Sequence, residues 1–168
     1  MGAVAVTGTN VCRFRAEFHR AIYGLSTCRN REVPRPRFPG ERRVVETIRR
    51  AFAEEGALVT AVSGNMDPRL GLPSVATVEL GGVTFVLTHG TGSPQGYEQR
   101  VASVAREHAD VPDPVAVAGH THELLDTTHD GVRVLNPGSV TGAPPASRTT
   151  MLTATVADGD LTVEAHER

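Results

Sequence analysis

An α/β sandwich with its sheets inside and its helices outside is the architecture this sequence predicts. Strand-like apolar runs alternate with stretches of helical periodicity, and the closing part of the chain resolves into strand-rich hairpins. A further observation concerns position. Polar residues with ligand chemistry fall just past the C-terminal ends of the apolar runs, the edge at which open α/β sheets place their sites.

The elements follow in order. AVAV at residues 3–6 is a short β-branched run that fits a buried strand, closed by the turn-forming TGTN. Residues 12–39 show poor periodicity, and Pro34, Pro36 and Pro39 exclude a central strand or helix interior from REVPRPRFPG. In GERRVVETIRRAFAEEG, Val45, Ile48, Ala51 and Phe52 recur at helical spacing opposite Arg and Glu. Gly56 stands where a helix C-terminus favours a left-handed residue, so residues 41–56 are predicted to be helical. ALVTAVSGN (residues 57–65) is the next buried strand. SVATVEL and VTFVLTHG are strands split by Gly81-Gly82, a dipeptide suited to a two-residue hairpin. A helical pattern returns in YEQRVASVAREHAD through Val101, Val104 and Ala105, followed by the buried strand PVAVAG. Two more hairpins are expected, turning at Asp130-Gly131 and Asp158-Gly159.

With 168 residues the chain has material for one well-formed core and too little for two, so residues 1–168 read as a single domain with residues 1–40 atypical. At 39% hydrophobic, it has no apolar stretch near the roughly 20 residues a membrane helix needs, which predicts a soluble protein without a membrane partner. MGAVAVTGTN lacks the basic start and long apolar core of a secretory signal, so a cytoplasmic location is expected. Cys12 and Cys28 have no second pair and suit neither a disulfide framework nor a zinc ribbon, leaving reduced thiols. Charge divides along the chain. Residues 1–50 carry 11 Arg against 4 Glu, whereas residues 51–168 carry 6 Arg against 15 acids. The arginines of the basic arm interleave with prolines and lack aromatic partners for stacking bases, which argues against nucleic-acid binding.

Asn65, His89 and the pair His120/His122 sit past the ends of three predicted buried strands and so converge on one rim. Imidazole and amide oxygen together suit divalent ions such as Mn, Ni, Zn or Fe. Extended backbone through HTH would turn His120 and His122 to one face, each available to one of two adjacent metals. Gly119 permits a close turn, and polar rings have little reason to end an apolar strand. His19, His108, His129 and His166 read instead as structural or solvated.

The segments SGNMD, LTHG, AGHTH and NPGS, in that order over residues 41–168, resemble the calcineurin-like metallophosphoesterases, specifically their small phosphodiesterase branch. The resemblance implies a four-layer αββα sandwich with two metals at the sheet edge and a bridging hydroxide that attacks phosphorus in line. It implies that Asn65, His89 and His120 hold the second metal and that His122 holds the first. Asp67 matches an acidic residue that orients the site or shapes a turn. Met66 stands where larger relatives carry a His that protonates the leaving group. Asn136, Pro137, Gly138 and Ser139 resemble the loop that closes the site floor and approaches the phosphate, although an ordinary turn accounts for them equally well.

The same family carries an Asp-x-His after its first strand and a Gly-Asp further on, which include the bridging carboxylate. Here Gly8 and Asn10 align with the first pair, and Pro36 and Arg37 with the second. An Arg at a bridging position repels cations. The first metal then keeps only His122 and the second keeps three neutral ligands, so one ion or none is expected, with impaired catalysis. Residues 12–37 are either a degenerate segment or the product of two compensating frame slips. A phosphodiesterase acting on small phosphodiesters or nucleotides is the expected function, with a catalytically inactive scaffold, as in the retromer subunit of this fold, as the alternative. Dimers among relatives imply a homodimer.

Overall fold

The computed structural model describes residues 3–7, 10–16, 58–65, 71–140 and 142–168. Among these, ten strands form two five-stranded sheets. The strands are β1 (Ala3–Thr7), β2 (Asn10–Ala16), β3 (Leu58–Val62), β4 (Val75–Leu80), β5 (Val83–Thr88), β6 (Val115–Val117), β7 (Leu124–His129), β8 (Val132–Pro137), β9 (Thr150–Ala157) and β10 (Asp160–Glu167). One helix, α1 (Tyr97–His108), connects β5 to β6. The first sheet has the order β10-β9-β2-β1-β3 and the second β4-β5-β6-β8-β7.

The register follows from the turns. β4/β5, β7/β8 and β9/β10 are antiparallel two-residue hairpins. Their central residues all have positive φ: Gly81 and Gly82, Asp130 and Gly131, Asp158 and Gly159. That backbone twist matches the twist of the flanking strands. In contrast β5, β6 and β8 run parallel, with α1 as the crossover that parallel neighbours require.

Buried strands read as continuous apolar runs because both of their faces are covered. Phe85, Leu87, Val117 and Leu135 point toward the first sheet and meet Val62, Leu152, Ala154 and Val156 in one core. The intervening Val86, Ala116, Val132 and Val134 point the other way, against Tyr97, Val101, Ala102 and Ala105 of α1. Two alanines on the inner stripe of α1 let its backbone lie close to the sheet. Sheet, sheet and helix thus stack as an α/β sandwich. The helix expected over residues 41–56, the opposite outer layer, lies outside the described residues.

One expectation needs correcting. Residues 12–16, in the stretch of poor periodicity, belong to β2, which pairs with both β1 and β9 inside its sheet. The prolines that argued against a strand begin at Pro34 and leave those residues untouched.

Candidate functional site

The C-terminal ends of β3, in the first sheet, and of β5 and β6, parallel neighbours in the second, meet at one rim. His89 directly follows β5 and is 4% exposed, while Asn65 lies just beyond β3 and is exposed. The two meet, His89 Nε2–H donating to Asn65 Oδ1 at 2.8 Å. With the proton on Nε2, Nδ1 is the basic nitrogen, and it is buried without a hydrogen-bond partner among the described residues. Burial first, then the nearby His120 and His122, lowers the His89 pKa from 6.5 to about 4, so the ring is neutral near pH 7.

His120 packs edge-on against His89, with ring centroids 5.1 Å apart. Its Nε2 lies 2.9 Å from the Gly92 carbonyl and 3.3 Å from the Gly92 N–H, donating to the one or accepting from the other according to tautomer. His122 is 5% exposed, and its Nδ1–H is shared between the carbonyls of Ala143 and Pro144 at 3.0 and 3.1 Å. That proton placement makes Nε2 the basic nitrogen of His122.

The backbone carrying these two histidines is not extended. His120 has φ 73° and His122 φ 61°, both left-handed. Thr121 N–H donates to the Gly119 carbonyl at 2.9 Å, which closes a γ-turn on His120. The reason is topological: residues 118–123 leave β6 and must pass the end of β8 to reach β7. His120 therefore goes to His89 and Gly92, while His122 goes to residues 143 and 144. They do not share a face as alternate residues of a strand would. Each left-handed non-glycine costs on the order of 1–3 kcal/mol, and such residues persist where the surroundings hold them.

Those surroundings are polar and buried. Asn136, 0% exposed at the end of β8, directs its amide nitrogen to the Gly119 carbonyl, the Tyr97 hydroxyl and Thr121 Oγ1, each at 2.9 Å. Its Oδ1 accepts from Gly138 N–H at 3.0 Å. Tyr97, at the start of α1, donates its hydroxyl to the same Gly119 carbonyl at 2.7 Å. Burial raises the Tyr97 pKa, so the hydroxyl keeps its proton. Gly90 makes room: a Cβ there would stand 2.8 Å from the Tyr97 ring.

Asn136, Gly138 and Ser139 form a buried floor whose hydrogen bonds run within the protein. Thr150 Oγ1 donates to the Pro137 carbonyl and accepts from Ser139 N–H, and Ser139 Oγ accepts from Ala143 N–H at 3.1 Å. Asp67 and Met66 lie outside the described residues. His108, His129 and His166 make contacts away from this rim, to the Val104 carbonyl, Asp130 and Thr153 respectively. Sequence reasoning missed Tyr97, Thr121 and Arg100. Tyr97 had one available signal, since a tyrosine on the apolar stripe of a helix buries a hydroxyl that needs a partner. Arg100 had none. Its guanidinium donates to the carbonyls of Gly90, Thr91, Ser93 and Gly96 and so fixes the loop that leads from His89 into α1.

A cleft of about 350 Å³ opens beside His89, lined by Ser63, Asn65, Thr88, Thr91 and Arg100 among others, with no carboxylate among its described lining. The donor set fits a single ion poorly held and does not fit a pair. Asn65 Oδ1 and His89 Nε2 are close enough to share one cation, with His120 adjacent. Among the described residues, however, no group of three or more His, Cys, Asp or Glu side chains converges as a metal site. A ligating imidazole ordinarily donates its second N–H to a carbonyl or carboxylate. His122 has such carbonyls, whereas His89 Nδ1 has no such acceptor among the described residues.

The sequence matches the family model of the calcineurin-like phosphoesterase superfamily domain over residues 40–159. Solved structures share the fold. A single-residue variant of Vps29 from Entamoeba histolytica is 23% identical, with 94% of this chain and 98% of that chain covered and a TM-score of 0.56. An archaeal phosphodiesterase is 22% identical over 71% of this chain and 76% of its own, with a TM-score of 0.52. A Thermotoga maritima protein is 29% identical over 75% of this chain and 73% of its own, with a TM-score of 0.51.

Proposed function

The chain belongs to the calcineurin-like phosphoesterase superfamily, and from that premise we propose that it is a metal-dependent phosphodiesterase of much reduced activity, acting on small phosphodiesters or nucleotides in the cytoplasm. The meeting of Asn65 Oδ1, His89 Nε2 and the His120 ring at the strand ends carries this reading. The likeness to an archaeal phosphodiesterase supports the fold on which it rests. A divalent ion there, whether Mn, Ni, Zn or Fe, supplies Lewis acidity toward a phosphoryl oxygen and lowers the pKa of bound water.

The protein's own residues supply position and exclusion. Asn65 presents an uncharged oxygen at the open side of the cleft. His89, neutral and buried behind it, excludes water from the inner side. The hydroxyls of Ser63, Thr88 and Thr91, all in the lining, are donors suited to non-bridging phosphate oxygens. No carboxylate offsets the cation's charge at the described rim, so affinity and rate are both low. Hydrolysis of bis-p-nitrophenyl phosphate with excess Mn or Ni tests the proposal. The expected result is slow, metal-dependent turnover that His120→Ala abolishes, and equal rates for the two proteins would reject it.

A second reading, a non-catalytic scaffold, is favoured by the lack of carboxylates at the described rim and by the likeness to Vps29. A stoichiometric partner, or a homodimer contact, that persists in chelator would support it.

A further inference from the structure

We infer that Tyr97 and Thr121 are positioning residues, which hold the strained histidine loop in the one conformation that aims His120 at His89 and His122 at residues 143 and 144. Left-handed backbone at two non-glycine residues so close together is not self-sustaining. Something must over-determine it. The Gly119 carbonyl and the Thr121 hydroxyl of the turn both end on one buried cluster. The Gly119 carbonyl, which accepts the γ-turn bond from Thr121 N–H, also accepts from the Tyr97 hydroxyl at 2.7 Å and the Asn136 amide at 2.9 Å. Thr121 Oγ1, between the two histidines, takes the same amide at 2.9 Å and receives Glu123 N–H at 3.3 Å. One end of the cluster sits on α1, the other on β8, and the loop is pinned between them.

Neither residue reaches the cleft side of His89, so neither is a catalytic group. Their effect passes through backbone geometry. An imidazole swung by a different φ at residue 120 would lose both its edge contact with His89 and its Gly92 partner. Tyr97 is placed for the task by Gly90, where any side chain would collide with the ring.

The metal part of the prediction rests on the proposed function, but the loop geometry does not, so the test reads both. Tyr97→Phe keeps the packed ring and removes only the hydroxyl. Thr121→Val approaches the same cluster from the loop side without enlarging any cavity. Two-dimensional NMR of the imidazole rings, recorded without metal, is expected to show the His120 and His122 resonances displaced in each variant and those of His129 and His166 unmoved. Titration with Ni2+ alone is expected to show about a tenfold loss of affinity, the lower end for a lost supporting contact. Unmoved His120 and His122 resonances in both variants would overturn the inference. Equal displacement of all the histidines would also overturn it, by showing a general packing role. If the wild-type chain binds no Ni2+ while the rings still move, the positioning role stands and the metal-dependent function fails.

Discussion

Gly138→Ala is the substitution that presses hardest on the site floor, and its cost can be worked from the geometry. Gly138 has φ 76°, and a Cβ there would stand 2.0 Å from Thr150 Oγ1 and 3.2 Å from Thr150 Cβ. The left-handed backbone alone costs alanine about 1–2 kcal/mol. Thr150 cannot rotate away for free, because its hydroxyl donates to the Pro137 carbonyl at 2.9 Å and accepts from Ser139 N–H at 3.1 Å. Losing two buried hydrogen bonds costs about 1 kcal/mol each, and displaced packing adds about 1–3 kcal/mol. The expected loss is therefore about 4–7 kcal/mol. Gly71→Ala isolates the backbone part, since Gly71 has φ 65° and, among the described residues, nothing lies within 4 Å of where a Cβ would stand. Urea denaturation of both variants reads the difference. The reasoning is refuted if Gly138→Ala costs no more than Gly71→Ala, since the floor would then yield without losing its bonds.

Three further outcomes are expected. Acidification should unfold the protein partly through His89: its folded pKa of about 4 lies below the unfolded value of 6.5, so the unfolded chain takes up the proton first. Stability fully present above pH 6.5 is then lost as pH falls toward 4, by roughly 3 kcal/mol at most. His89→Gln should flatten that part of the pH–stability curve. An identical curve in the variant would assign the acid sensitivity elsewhere. Leu135→Ala empties a side chain that is 0% exposed between the sheets and should cost about 2–5 kcal/mol in denaturant titrations; a cost under about 1 kcal/mol would mean the core collapses around it. Chelator should leave thermal stability nearly unchanged, within about 1 kcal/mol, because a weakly held ion adds little folding free energy. A large drop in melting temperature on metal removal would contradict the weak site.

The sequence made legible those parts in which each residue has one dominant role. Hairpins at Gly81, Gly131 and Gly159 follow from turn chemistry, and the doubly covered strands of the second sheet from their unbroken apolar runs. Where roles compete, it misled. HTH reads as extended by pattern, yet the path of the chain from β6 past β8 forces His120 and His122 into left-handed backbone. Nothing local announces that, because the stabilising partners are Tyr97 and Asn136, remote in the chain. Asn136, read as a site or turn residue, is buried with four different groups within hydrogen-bond distance of its amide. β2 was obscured because arginines alternate with its apolar residues, and its pairing with β9 depends on residues at the other end of the chain.

The uncharged half-cradle is most directly tested by counting ions. Calorimetric titration of the chelator-stripped chain with Ni2+ or Mn2+ should give no more than one weakly bound ion per chain, lost in His120→Ala. Two tightly bound ions per chain would contradict it, by requiring carboxylates at a rim whose described residues offer none.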